Sequence, residues 1–149
     1  MPRIFFSAAA LALAAATATF SPAAVAGEPA QRIDQESLLQ RMATSDPDLV
    51  ILDVRTAEEY SSGHIAGAIN IAYDLLPERG AELEAAKDKD IVLYCRSGRR
   101  TAIAADTLRA QGFKRLWHLD GDMLAWEAAK RPVVKGAADP GAPERETAK

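Results

Sequence analysis

The stretch Ile91-Val92-Leu93-Tyr94-Cys95-Arg96-Ser97-Gly98-Arg99-Arg100-Thr101 runs from four apolar residues, through the chain's single cysteine, into a basic turn. An apolar run without polar alternation is the pattern of a strand covered on both faces, as in a parallel sheet. The residues that follow read as a helix from about Arg100 to Ala110, with Gly112 as its left-handed stop. Ala102, Ala104 and Ala105 would let that helix lie close against the sheet. A loop between strand end and helix start gathers backbone N–H groups and the positive end of the helix dipole, so it suits an anion.

The same alternation extends in both directions. Leu49-Val50-Ile51-Leu52 is a second buried strand, and Ala68-Ile69-Asn70-Ile71 and Leu116-Trp117-His118-Leu119 read as two more. Asp34 caps a helix through Leu38, Leu39 and Met42, and Thr56 with Glu59 makes a capping box over a short helix ending near Tyr60. Asp122 is read as the cap of a last helix through Trp126, which Pro132 keeps short. Strands alternating with helices predict an α/β layer fold with crossover helices.

The ends of the 149-residue chain read differently. Residues 1–26 have Arg3 as their only charge, an apolar run from Ile4, and Ala24-Val25-Ala26 ahead of Gly27. That is the pattern of a cleaved secretory signal, and it is shorter than the roughly 20 apolar residues of a membrane span. The expectation is an exported protein, periplasmic in a Gram-negative bacterium and otherwise secreted, with no stable membrane insertion after cleavage. Residues 27–30 form a short linker, 31–134 the working domain, and 135–149, rich in Ala, Pro, Glu and Lys, a disordered tail. Without residues 1–26, 17 of the 18 basic residues stand against all 21 acidic ones, a net charge of −4 that argues against a nucleic-acid partner. One cysteine and two histidines offer no metal cluster, and one cysteine forms no internal disulfide.

Cys95 is therefore either a small buried hydrophobe beside a solvated arginine face, or a residue kept for its chemistry. The loop favours chemistry. Amide donors and the guanidinium groups of Arg96, Arg99 and Arg100 facing a sulfur favour the thiolate, which is the nucleophile and also the better leaving group. Asp53, at a strand end, is expected to brace the loop rather than act as acid or base, since a thiolate needs no base. Arg55 with Glu58 or Glu59 reads as a local ion pair of little worth if exposed. His64, in a glycine-flanked turn, is read as a hydrogen-bonding residue, His118 as a strand-end residue, and Trp117 and Trp126 as packing.

Four segments together resemble the rhodanese family. They are the Cys95–Thr101 loop, Leu52-Asp53-Val54-Arg55 with Glu58-Glu59-Tyr60, Gly63-His64-Ile65-Ala66-Gly67-Ala68-Ile69-Asn70-Ile71, and Leu119 to Trp126. The resemblance implies a three-layer α/β fold with a mostly parallel central sheet, and thiosulfate sulfurtransferase chemistry without a cofactor. Cys95 would take the outer sulfur of thiosulfate or a related sulfane donor as a persulfide and pass it to cyanide, a small thiol or a protein thiol. The loop Arg96, Ser97, Gly98, Arg99 and Arg100 would bind the donor through its backbone amides, with Arg100 at the position most often filled by Arg. Asp53, Arg55 and His64 would support it. The chain departs from the family at Gly121-Asp122, where two glycines are usual. This puts the local turn in doubt, with helix capping by Asp122 as a harmless account.

Three other readings remain. Phosphatases and arsenate reductases built on such a loop place Arg at the sixth position after Cys, where this chain has Thr101. A Cys-His hydrolase would need His64 or His118 oriented on Cys95. A persulfide carrier or thiol sensor needs the same loop as the enzyme, so the residues do not separate the two.

Overall fold

The structure, a computed structural model, describes residues 29–136, so the expected leader and nearly all of the expected tail lie outside the described residues. Five strands form one sheet: β1 (Gln31–Ile33), β2 (Leu49–Asp53), β3 (Ile69–Asn70), β4 (Asp90–Tyr94) and β5 (Leu116–Leu119). Their order is β1-β5-β4-β2-β3 and every pairing is parallel. The helices are α1 (Gln35–Ala43), α2 (Ala57–Ser62), α3 (Leu76–Arg79), α4 (Arg99–Ala110) and α5 (Asp122–Ala128), with a 3₁₀ segment over Gly80–Ala86 after α3.

The apolar runs are continuous because both faces of the sheet are covered. Leu52, Ile91, Leu93 and Cys95 pack with Ala104, Ala105, Leu108 and Phe113 on the α3–α4 side. Ile51, Val92 and Tyr94 point the other way, to Leu38, Ile65, Met123 and Trp126. Period-two alternation within β2 and β4 thus feeds two separate cores. Burying the whole Trp126 side chain at 0 % exposure is worth about 3 kcal/mol, and its indole N–H is satisfied by the Pro132 carbonyl at 2.9 Å.

Several local expectations hold. Asp34 accepts from the Ser37 amide, the Thr56–Glu59 capping box is complete, and Gly112 takes φ +92° after α4. Others need correction. Ala102 is exposed, and α4 meets the sheet through Thr101, Ala104, Ala105 and Leu108. Asp122 does not cap α5: Gly121 occupies the cap position, and the Asp122 side chain turns back into the protein. Strand β1 carries no sequence signal, because Gln31 and Arg32 are exposed and only Ile33 is buried. The segment 76–86 likewise carries none, its helical turns being too short to show a period.

Strand order positions the site. From β2 the chain steps to β3 on one side, whereas from β4 it steps to β5 on the other, so the order reverses between β2 and β4. In an open parallel sheet the crevice beyond the carboxyl ends at such a reversal is where ligands bind. Cys95 follows directly on β4 there, beside Asp53, whose partner in register is Tyr94.

Candidate active site

Cys95 is 1 % exposed, and its loop wraps it with main-chain bonds. The Gly98 amide donates to Cys95 Sγ at 3.0 Å. Gly98 holds φ +106°, a conformation open to glycine but strained for other residues, and that is what turns its N–H inward ahead of α4. The loop's own carbonyls are tied down by α5: Met123 N–H donates to Cys95 O and Leu124 N–H to Arg96 O. The first turn of one helix thereby anchors the Cys95 peptide, and the first turn of another begins at the residue after Gly98.

Of the five loop residues expected to bind substrate, Gly98 turns its amide to the sulfur and the other four divide in two. Arg96, Ser97 and Arg99 are exposed on the rim, and the side chains of Arg96 and Arg99 have no ion-pair partner among the described residues. Arg100 is half-buried and gives two hydrogen bonds to Glu59, at 2.6 and 2.8 Å. Accepting from Arg100 holds the Glu59 carboxyl down at about 2, against the resistance of partial burial and with help from the Thr56 amide and Arg55. In return Glu59, and to a lesser degree Cys95, hold the Arg100 guanidinium firmly charged. Glu59 therefore serves both the α2 capping box and the loop, a second role that spacing within α2 did not reveal.

The expected loop supports sit below this rim. Asp53 is fully buried and accepts from the Arg55 amide and from its guanidinium at 2.6 to 3.1 Å. Arg55 also donates to the Gly63 carbonyl and lies over the Tyr94 ring, 5.5 Å from its centroid. The expectation of a local Arg55–Glu58 or Arg55–Glu59 pair is thus corrected: Arg55 is buried and pairs with Asp53. Burial opposes its charge, but the bonds and field of Asp53 win and raise its affinity for the proton. His64 stacks on Tyr60 with ring centroids 3.6 Å apart and bonds the Tyr60 carbonyl through Nδ1 at 2.8 Å. Its backbone pairs with Val134, closing the domain's C-terminal segment against the turn.

Asp122 is the residue whose place in the site the sequence did not disclose. It is 2 % exposed at φ +52°, following Gly121 at φ +74°. Two successive left-handed residues swing its carboxylate under the loop. Oδ1 accepts from the Cys95 amide at 2.8 Å and from the Thr101 hydroxyl at 2.9 Å, and Oδ2 meets His118 Nε2 at 2.7 Å. Burial pushes this carboxyl up, yet His118, the Cys95 amide and Thr101 together hold it below the usual range. Thr101, sixth after the cysteine, is fully buried and turned to Asp122, not toward the loop's mouth.

Comparison with known proteins agrees with this arrangement. The model of the rhodanese-like domain matches residues 34–129. A sulfurtransferase of Allochromatium vinosum is 40% identical over 102 residues, covering 68% of this chain and 92% of that protein. An HTH-type transcriptional regulator of Mycobacterium tuberculosis is 43% identical over 115 residues, 76% of this chain but only 49% of the regulator. The crystal structure of a thiosulfate sulfurtransferase from Pseudomonas aeruginosa superposes with a TM-score of 0.62 at 29% identity, over 72% of this chain and 20% of that one. A match across the α1–α5 span, together with a cysteine cradled between β4 and α4, places the chain in the rhodanese-like family.

Proposed function

We propose that the protein is a thiosulfate sulfurtransferase in which Cys95 carries the transferred sulfur. The observation that carries the reading is the 3.0 Å bond from the Gly98 amide to Cys95 Sγ, with the Arg100 charge fixed beside it. The Cys95 thiolate attacks the outer sulfur of thiosulfate; the S–S bond of the donor breaks and sulfite leaves with the bonding pair. An acceptor thiolate or cyanide then takes the outer sulfur of the Cys95 persulfide and regenerates the Cys95 thiolate. Arg96 and Arg99 stand on the rim where sulfite must depart, in a protein that is otherwise acidic. Thr101 at the sixth position supports sulfur transfer over phosphate-ester chemistry, and the histidine rings turn elsewhere, His64 to the Tyr60 carbonyl and His118 to Asp122.

Mass spectrometry after thiosulfate treatment tests the reading. One added sulfur on Cys95, removed again by a thiol, is expected, with steady turnover of thiosulfate and cyanide. Cys95→Ser should lose both, because a hydroxyl does not reach its anion at neutral pH. Turnover by the Ser variant would overturn the mechanism, and stoichiometric loading without turnover would make the protein a carrier. The pattern of residues 1–26 further supports export to the periplasm or medium, with a mature chain starting at Gly27, which intact-mass analysis of the exported protein checks.

A further inference from the structure

We propose that Asp122 is a positioning residue for Cys95, and that through it the protonation of His118 is read at the nucleophile. The inference rests on the sulfur-transfer reading for its kinetic consequence, but not for its geometry. Asp122 takes the Cys95 amide on Oδ1, so that N–H points to the carboxylate while the Gly98 N–H points to sulfur. Thr101, from the first turn of α4, shares the same oxygen, so strand end, loop and helix are pinned at one atom. Gly98 lies so close that a Cβ there would sit 3.1 Å from Asp122 Oδ2 and 3.2 Å from His118 Cε1. The loop therefore rests directly on the Asp122–His118 pair.

A non-glycine residue at φ +52°, with a buried carboxylate, is unfavourable unless its surroundings hold it. Here they do so with three hydrogen bonds, all directed at the cysteine's own support. His118 is the link to solvent: its side chain is 13% exposed against 3% for Asp122, and it lines a cavity of about 280 Å³ with Arg32 and Asp106. Its Nδ1 faces the Arg32 guanidinium at 3.4 Å, and Arg32 is itself held by Asp120 at 2.6 Å. With His118 neutral, Nε2–H donates to Asp122 and a net negative charge lies behind Cys95. With His118 protonated the pair is neutral, Nδ1–H turns against Arg32, and Arg32 retains Asp120. The charged groups around the pair are thus Arg32, Asp120 and Asp106 on the cavity side and Arg100 on the sulfur side. An anionic donor approaching Cys95 meets less repulsion in the protonated state.

The test compares the full chain with Asp122→Gly, Asp122→Asn and His118→Gln. Single-turnover persulfide loading with thiosulfate is followed by mass across pH, and the Cys95 amide and His118 ring are followed by NMR. Gly suits the positive φ but removes the acceptor, so loading at saturating thiosulfate should slow at least about tenfold in a chain that remains folded. Asn keeps an acceptor for the Cys95 amide and should restore loading to within about threefold of wild type. Gln keeps a donor to Asp122 but does not titrate, so the ratio of wild-type to His118→Gln loading rates should rise about three- to tenfold as His118 protonates. The wild-type Cys95 amide resonance should move with the midpoint of the His118 ring. A Gly variant as fast as wild type, a flat ratio, or an amide that ignores His118 overturns the proposal. If the wild type takes no sulfur from thiosulfate, the sulfur reading falls, and the amide response, which needs no donor, still decides the positioning role.

Discussion

Arg100 and Glu59, 41 positions apart in the chain, face each other through two hydrogen bonds of 2.6 and 2.8 Å, so a guanidinium in the Cys95 loop is held by the capping-box residue of a different helix. A planar fork gripped from one side presents its remaining face in a fixed direction. Arg100→Ala should lower kcat/KM for thiosulfate by about ten- to a hundredfold, the worth of one charge-assisted hydrogen bond of roughly 1.5 to 3 kcal/mol. Glu59→Gln should act in the same direction but less, and the double variant should fall short of the sum, because the two groups act as a unit. Steady-state kinetics on the four proteins measure this. Equal effects of Arg100→Ala in the presence and absence of Glu59 would show the pair to be uncoupled.

The same pair sets an acid limit. Glu59 is held at about 2 in the folded protein, below its ordinary value, so its contribution to stability is complete above the unfolded carboxylate range and is lost as pH falls toward 2. Urea unfolding at pH 7, 4 and 2.5 should show wild type converging on Glu59→Gln as the pH drops.

Arg96 and Arg99 should behave differently from Arg100. Both are exposed, so they act on an anion through a field that salt screens over roughly 10 Å at 0.1 M. The deficits of Arg96→Ala and Arg99→Ala should shrink at high ionic strength, while that of Arg100→Ala persists. A salt-independent loss at Arg99 would place its side chain, not Arg100, in direct contact with the donor.

Removing Arg55 should cost far more than the loss of an exposed ion pair. Asp53 is fully buried, and without Arg55 its charge has no counterpart, a loss of about 3 to 5 kcal/mol. Arg55→Ala should therefore shift the urea midpoint strongly, and Asp53→Asn with Arg55→Leu should recover part of it. Near-wild-type stability of Arg55→Ala would mean that water or another cation replaces the guanidinium.

Gly98→Ala should damage activity more than stability. The added Cβ meets Asp122 and His118 at 3.1 and 3.2 Å in a backbone conformation, φ +106°, that L residues avoid at about 1 to 3 kcal/mol. The peptide that donates to Cys95 Sγ must rotate or shift, so sulfur loading should fall by more than tenfold while the fold persists. An Ala variant that loads normally would mean that the Gly98 amide does not serve the sulfur.

The α/β alternation, the four principal strands, the Thr56–Glu59 box and the cysteine at a strand end were legible because each depends on neighbours within a few residues. Period and capping are local properties of the chain. β1 escaped because a three-residue strand with one buried side chain has no period, and the sheet supplies its pairing through β5. The Arg55 assignment erred for a related reason. Spacing offers several carboxylates within reach, and burial, which decides among them, is set by the packing of α2 and β4.

What the amino-acid sequence by itself determined is the type of fold, the single cysteine at a strand end and the basic loop around it, since residue identity and short-range order suffice for these. Only the tertiary structure decided which groups serve Cys95. Parallel pairing of β2 with β4 and β4 with β5 brings Asp53, Glu59 and Asp122 to one end of the sheet from three separate segments. The two left-handed residues Gly121 and Asp122 then turn a carboxylate that reads as a helix cap into the support of the cysteine's own peptide. Hydrogen bonds and ion pairs depend on distances of about 3 Å, and for residues tens of positions apart those distances exist only once the sheet has formed.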